Sequence, residues 1–329
     1  MIDLINESKD ICTLYTEDGV AESMGLNEFI RSICSEVERK LGENYRAEVR
    51  EIKKINGGVR HGLLIMPKTG GVKNLVPTIY LDDLFEEYRS GMDFAAVIET
   101  LLTIYREHTP KERIDMEFFR SFEKVRSRIC FRLIGKAGNE SLLEDIPHKE
   151  FLDLAVCFYY AYQGKPLGKG AILIHNSHME LWGITEDDLW EAASINTPEL
   201  KPGRIESLGE ILKEVFAGQK NGDGEFRSCC MGNSPVPMLV VTNADRVHGA
   251  AVVLYSGMLK QVADKAGSDL FILPSSLHEV IAIPVTEERE AAELKEMVME
   301  VNRTQLQPEE VLSDNVYIYR REQDKLEIA

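Results

Sequence analysis

At 329 residues with 44% hydrophobic content, the chain is long enough for one large domain or two, and apolar enough to fold without disulfide staples. Its 55 acidic against 38 basic residues give a formal net charge of -17, which repels phosphate backbones and anionic lipid and disfavours nucleic acid as a partner. The six cysteines form no Cys-x-x-Cys pair, no basic-then-apolar leader opens the sequence, and no apolar run nears the ~20 residues a bilayer needs, so the expectation is a cytoplasmic protein with no membrane partner.

Residues 1–24 are polar, acidic and aperiodic, and are expected to form an extension. Leu26, Phe29, Ile30, Ile33, Val37 and Leu41 then recur at helical spacing between Gly25 and Gly42, which predicts the first helix. Residues 45–55 and 59–66 flank Asn56-Gly57-Gly58, a hairpin signal. Residues 78–84 lead into a helix ending near Ser90-Gly91, and 94–105 carry a helical pattern of their own. Residues 25–110 therefore predict a small unit of two strands and about three helices, with Thr109-Pro110 at the junction to a larger domain over 111–329.

In that larger domain residues 116–125 are expected to be helical and 129–134 a strand. The apolar, aromatic stretch 151–162 reads as a strand that turns through Gly164 to Gly170 into the extended run 171–174. Thr185 with Asp188 is close to a capping box, opening a helix that packs Leu189, Trp190, Ala192 and Ala193 and is expected to stop before Thr197-Pro198. A helix over 208–216, a Gly-rich loop over 221–234 carrying Cys229-Cys230, a buried strand over 237–241 and a helix over 250–262 follow. Thr286 is expected to start an amphipathic helix with Leu294, Met297, Val298 and Val301, and 316–319 a late strand. The fold class is α+β, a small N-terminal unit before a larger domain with a central sheet.

The segment 270–285, LFILPSSLHEVIAIPV, is the most site-shaped stretch. Two apolar, strand-like runs bounded by Pro274 and Pro284 enclose Ser275, Ser276, His278 and Glu279. A serine hydroxyl needs a base to attack near neutral pH, and His278 oriented by a carboxylate would supply one, with Ser276 as nucleophile. The G-x-S-x-G turn is missing, however, and a bland reading competes: serines satisfying turn backbone while His278 and Glu279 cap a strand end. His175 and His178 follow a strand and, with His278, are the candidate ligands of a metal site with an open position, although ordinary hydrogen-bonded histidines are the preferred reading and no metal or other cofactor is assigned. The run 240–251, VVTNADRVHGAA, can present Thr242 and Asn243 to a ligand at a strand end, or use Asn243 and Asp245 as turn and cap residues. Cys34, Cys130 and Cys157 sit in apolar patterns and read as core, whereas Cys229-Cys230 are by default reduced loop thiols.

The runs IPHKEFLDLAVCF, IHNSHMELWGITEDDLWEAASIN, LVVTNADRVHGAAVVLY and FILPSSLHEVIAIPV, with PTIYLDDLFEEYRSG upstream, resemble an uncharacterised family of Clostridia and Lachnospiraceae, domain-of-unknown-function family 5688. A fainter similarity, through the W-x-I-T helix, links the chain to the Firmicutes family 1444. The resemblance implies a shared Thr242-Asn243 turn and Pro274–Glu279 stretch, and no assigned reaction.

The leading expectation is a binding or regulatory protein for an unknown protein or small molecule, with a pocket or partner surface lined by Thr242, Asn243, His178 and Ser275. A hydrolase using His278 and Glu279, metal-assisted or not, is the alternative, and a component of a mobile-element or host-defence system is a third. If the 175–178, 242–243 and 275–279 segments lie far apart, the shared pocket and the metal-assisted reading both fall; if the His175, His178 and His278 nitrogens converge, the hydrolase gains.

Overall fold

In the computed structural model residues 24–68, 76–110, 117–164, 168–209, 238–287 and 290–329 are described. The 208–216 helix and the N-terminal extension fall almost wholly outside them, and the 221–234 loop, Cys12, Cys229 and Cys230 lie outside altogether. The fold is mixed α+β and groups into two compact units. One comprises residues up to Ser121 with Ala161–Leu173, the other Phe122–Tyr160 with Ile174–Ala329.

In the first unit α1 (Leu26–Leu41) buries Phe29, Ile33 and Val37, one residue per turn along a single stripe, and Gly42 ends it at a φ of 87° that a side chain would strain. The expected hairpin is there. Strands β1 (Tyr45–Lys54) and β2 (Gly58–Pro67) pair antiparallel from Tyr45↔Pro67 to Lys54↔Gly58, and β3 (Thr78–Tyr80) adds to β2. Helix α2 (Leu81–Arg89) follows at once, and α3 (Phe94–His108) starts where the Asp93 carboxylate accepts from the Ala95 amide at 3.0 Å. Val97, Ile98, Leu101 and Leu102 close the core against Leu63, Ile65 and the α1 stripe.

The second unit holds two antiparallel sheets. A short α4 (Phe122–Val125) precedes β4 (Ile129–Gly135), α5 (Glu140–Leu143), β5 (His148–Phe151) and β6 (Leu154–Gly164). Strand β6 lies between β4 and β5, and every residue from Leu154 to Tyr160 is buried, which explains its unbroken apolar run. Strand β7 (Gly168–Leu173) returns from β6, and the outer part of that hairpin groups with the first unit. Helices α6 (Asn176–Trp182) and α7 (Glu186–Leu200) come next. The six-stranded sheet has the order β13-β12-β10-β11-β9-β8, with β8 Gly203–Ser207, β9 Leu239–Asn243, β10 Leu270–Leu273, β11 Glu279–Pro284, β12 Tyr317–Arg320 and β13 Lys325–Ile328. Helix α8 (Met258–Ala266) precedes β10, and α9 (Ala291–Thr304) packs Leu294 and Val298 on Phe271, Leu273, Ile283 and Ile318.

Several elements depart from the sequence pattern for identifiable reasons. Helix α7 runs through Thr197-Pro198 to Leu200, because its last turns are held by β4: the Phe131 amide donates to Thr197 Oγ1 at 3.0 Å and Asn196 Nδ2 to the Ile129 carbonyl at 3.0 Å. Its start is the capping box as read, with the Thr185 amide donating to Asp188 Oδ2 at 2.8 Å. The expected 250–262 helix is two pieces, a 3-10 turn Gly249–Leu254 and α8, parted by Gly257 at φ 73°. Residues 116–125 likewise divide at Ser121 into a 3-10 turn Glu117–Arg120 and the single turn α4. Helix α9 begins five residues after Thr286, and the short edge strands β8 and β13 carry too few apolar residues to announce themselves.

The two sheets of this unit are joined through Asp153 in the β5–β6 turn. Its carboxylate accepts from Ser313 Oγ at 2.6 Å, Asn315 Nδ2 at 3.0 Å and the Tyr317 hydroxyl. Burial alone would raise this carboxyl, but the three donors outweigh it and hold the pKa below the usual range. The strap that these bonds fix, residues 310–313, borders the 274–278 segment.

Candidate functional site

Strands β10 and β11 pair antiparallel from Leu270↔Pro284 to Leu273↔Ile281, so the 274–278 segment turns at one end of the sheet. It is strapped on its far side. The Leu312 amide donates to the Ser275 carbonyl at 2.9 Å, Leu277 to Glu310 at 2.8 Å and Ser313 to Pro274 at 3.1 Å. Buried Ser276 spends its hydroxyl oxygen on the His278 amide at 3.0 Å, a local turn bond rather than a contact with an imidazole base.

Strand β9 lies beside β11, with Thr242 opposite Glu279, and Thr242 Oγ1 donates to the His278 carbonyl at 2.7 Å. Asn243 builds the turn that follows: its Oδ1 accepts from the Asp245 amide at 3.1 Å and its Nδ2 donates to Val247 O at 2.9 Å. The turn returns through two left-handed residues, Arg246 at φ 53° and His248 at φ 51°. Gly249 then passes so close that a Cβ there would lie 2.1 Å from Thr242 Oγ1 and 2.3 Å from the His278 carbonyl oxygen. Only glycine fits, and this close passage sets His248 beside His278, ring centroids 5.8 Å apart.

The hydrogen bonds fix both tautomers. The His248 amide donates to His278 Nδ1 at 3.3 Å, so His278 carries its proton on Nε2, which faces Glu310 Oε1 at 3.8 Å. The carboxylate beside this ring is thus Glu310, while Glu279 is a member of strand β11. Arg132, on β4, brings Nη1 to 3.4 Å from His248 Nε2. A guanidinium only donates, so Nε2 accepts and the proton of His248 sits on Nδ1. That Nδ1 is buried and has no hydrogen-bond partner among the described residues. Burial pushes the His248 pKa far below its ordinary value, and Arg132, His278 and Lys201 push it the same way, so the ring stays neutral. Arg132 and Lys201 share the Tyr159 ring, at 5.7 and 6.0 Å from its centre, and Lys201 Nζ is 3.2 Å from Asp245 Oδ2.

The predicted residues thus divide. Thr242, Asn243, Ser275, Ser276, His278 and Glu279 come together at the ends of β9, β10 and β11. His175 and His178 instead begin α6: the His175 amide donates to His178 Nδ1 at 3.0 Å, the rings stand 5.6 Å apart, and His178 stacks on Trp182 at 5.8 Å. Among the described residues no group of three or more His, Cys, Asp or Glu side chains is placed to hold a metal ion, so His175, His178 and His278 do not form such a group. Two cavities of about 330 and 320 Å³ lie in this unit, one against Met258 and Val262, the other against Arg126 and Ile195, both lined by residues outside this corner. Cys130 and Cys157 are core thiols, Cys157 being raised by burial to about 12.

Sequence reasoning missed Arg132, His248, Gly249 and Glu310. Only His248-Gly249 left a signal, a histidine before an obligatory glycine at the end of a polar turn.

Among the described residues no helix is long and apolar enough to cross a membrane. Residues 26–321 match the model of a Family of unknown function (DUF5688). The fainter likeness to family 1444 gains no support from that match. No curated protein and no solved structure matches the chain.

Proposed function

The chain belongs to the DUF5688 family, whose description names no reaction, and from the site's geometry we propose that it is a ligand-binding protein with its recognition site at the end of β9. The observation that carries this reading is the buried Nδ1–H of His248, a donor with no acceptor among the described residues. Leaving such a donor unbonded costs about 1–3 kcal/mol, and the left-handed backbone at the same residue adds strain. A ligand oxygen would relieve the first cost. His248 as a residue is half-buried and follows the exposed turn residues Asp245, Arg246 and Val247, so the corner lies at the surface of the unit.

The hydrolase reading finds less support. Both ring nitrogens of His278 face partners, and the Ser276 hydroxyl accepts from backbone, so neither is poised for proton transfer or attack.

The test is to follow the His248 Nδ1–H signal in ¹⁵N-histidine-labelled full-length protein while adding acetate, inorganic phosphate or acetamide. Saturable movement of that signal with at least one probe, absent in His248→Phe, is the expected result. No movement with any of the three overturns the reading.

A further inference from the structure

Independently of His248, we infer that the outer edge of β8 binds an extended peptide segment of a partner protein. The segment adds one more strand to the six-stranded sheet and sets an apolar and an acidic side chain, two residues apart, against α8. Strand β8 ends the strand order, and its register with β9 fixes which of its backbone groups are spent. The Ala244 amide donates to the Pro202 carbonyl at 2.9 Å and the Leu208 amide to the Met238 carbonyl at 3.0 Å, so the even-numbered residues 202–208 bond to β9. Gly203, Ile205 and Ser207 therefore turn their amides and carbonyls outward, where no described residue meets them. A row of such groups is a template for a further strand.

A cavity of about 330 Å³ opens beside that edge. Gly203 and Ile205 form one wall, and Met258, Gln261, Val262 and Lys265, a stripe at helical spacing along α8, form the other. No residue of β9 lines it, so the space lies at the margin of the sheet, where alternate side chains of an added strand project. Its size is at the low end of ligand pockets, which span about 300–1,000 Å³, and suits a few side chains rather than a large cofactor. The wall is adaptable. A Cβ on Gly203 would lie 2.1 Å from Met258 Cε, so the flexible thioether fills the space that the glycine leaves and can move aside for an apolar guest.

Charge selects the second side chain. Gln261 and Lys265 are exposed and make no side-chain hydrogen bond or ion pair among the described residues, whereas Lys260 of the same helix pairs with Asp264 at 3.5 Å. Arg204, on the opposite face of β8, is likewise exposed and unpaired among the described residues, and Glu206 is taken by Arg246 at 2.7 Å. The edge thus carries two cations in a chain of net charge -17, and an acidic strand is its complement. A second copy of the chain fits less well. With two β8 edges paired antiparallel about Ile205, Ser207 of each copy would stand opposite Gly203 of the other, setting a hydroxyl at the cavity, and Glu206 would face away from Lys265.

The experiment titrates the ¹⁵N-labelled full-length protein with the capped peptide Thr-Thr-Leu-Thr-Glu-Thr-Thr and follows the backbone amides of Gly203, Ile205 and Ser207. Saturable shifts at these amides and along α8 are the expected result. Replacing the leucine of the peptide by serine should weaken binding about tenfold, as for a leucine side chain returned to water. Replacing its glutamate by lysine should weaken binding severalfold, and Lys265→Glu, at an exposed position, should reverse that preference. Methylating the amide nitrogens of one alternate set of peptide residues should abolish binding while methylating the other set is tolerated, because only one set faces the neighbouring strand. No saturation up to about 1 mM peptide, the weak limit of specific recognition, overturns the inference, and so does equal tolerance of both methylated sets. Movement of the same amides when the protein alone is concentrated, with a dimer in sedimentation, would overturn it too and make the edge an interface between copies.

Discussion

His175 with His178 and His248 with His278 stand at almost the same ring separation, 5.6 and 5.8 Å, yet the two pairs are put to different uses. The first pair lies within one turn of sequence, and helix α6 absorbs it: one ring accepts from the backbone amide of the other residue, as an N-terminal cap does. The second pair joins residues thirty apart, and the fold that brings them together leaves a donor with no hydrogen-bond partner among the described residues. Histidines clustered in sequence are readily consumed by local backbone. Those assembled by tertiary structure keep groups to spare, and these are the better guide to a site.

The most damaging way to break the second pair is Gly249→Ala. A Cβ meeting Thr242 Oγ1, the His278 carbonyl and, at 2.8 Å, the Asn243 amide could be admitted only by moving backbone of two strands as well as one short side chain, and overpacking of this kind costs about 3 kcal/mol. Urea unfolding should report that loss, and the His248 Nδ1–H signal should broaden or shift while those of His175 and His178 hold still. A loss under about 1 kcal/mol would mean that the close passage of Gly249 does not fix the corner.

Acid sharpens the comparison next. Both His248 and His178 are depressed by burial, His178 to about 4 with the His175 ring adding to the effect. A histidine whose folded pKa lies below its unfolded value of about 6.5 gives stability that is complete above pH 6.5 and lost as pH falls toward the folded pKa. The limiting slope is about 1.4 kcal/mol per pH unit for each proton taken up on unfolding. His248→Asn, which tolerates the left-handed backbone and cannot titrate, should flatten the decline between pH 6.5 and 5. An unchanged slope in that variant would show that His248 is not held neutral by the fold.

Smaller still is Thr242→Val, which keeps the shape and removes the hydroxyl that donates to the His278 carbonyl. It should cost about 1 kcal/mol, read by thermal melting, and weaken acetate binding at His248 by severalfold through the loosened β9–β11 register. A full loss of binding with unchanged melting would instead make Thr242 a direct ligand contact.

How much of this was legible beforehand follows from the range of the forces involved. The α1 stripe, the 56–58 hairpin, the Thr185 box and the two strands around Pro274 are local patterns, and a sequence displays them. The end of α7 and the break before α8 are decided by contacts with β4 and by one left-handed glycine, which propensity alone does not weigh. The SSLHE segment was visible as polar residues between strands. Its true neighbours were not, because Arg132 arrives from another sheet and Glu310 from a strap held by Asp153. His248 was in plain view within VVTNADRVHGAA, but its meaning depends on a tautomer that only Arg132 sets.

The gentlest test falls on the first pair. His178→Ala deletes the acceptor for the His175 amide and the stack on Trp182, and cap losses of this kind cost about 0.5–1 kcal/mol. Because α6 buries none of its residues, the loss should stay local: faster amide exchange over 176–182 and a slightly lower melting point, with the His248 Nδ1–H signal and acetate affinity unchanged. A loss above about 2 kcal/mol would make the pair part of the core rather than a cap. Movement of the His248 signal would go further, coupling the two corners that a reading of the sequence had placed in one pocket and that the fold assigns to separate contacts.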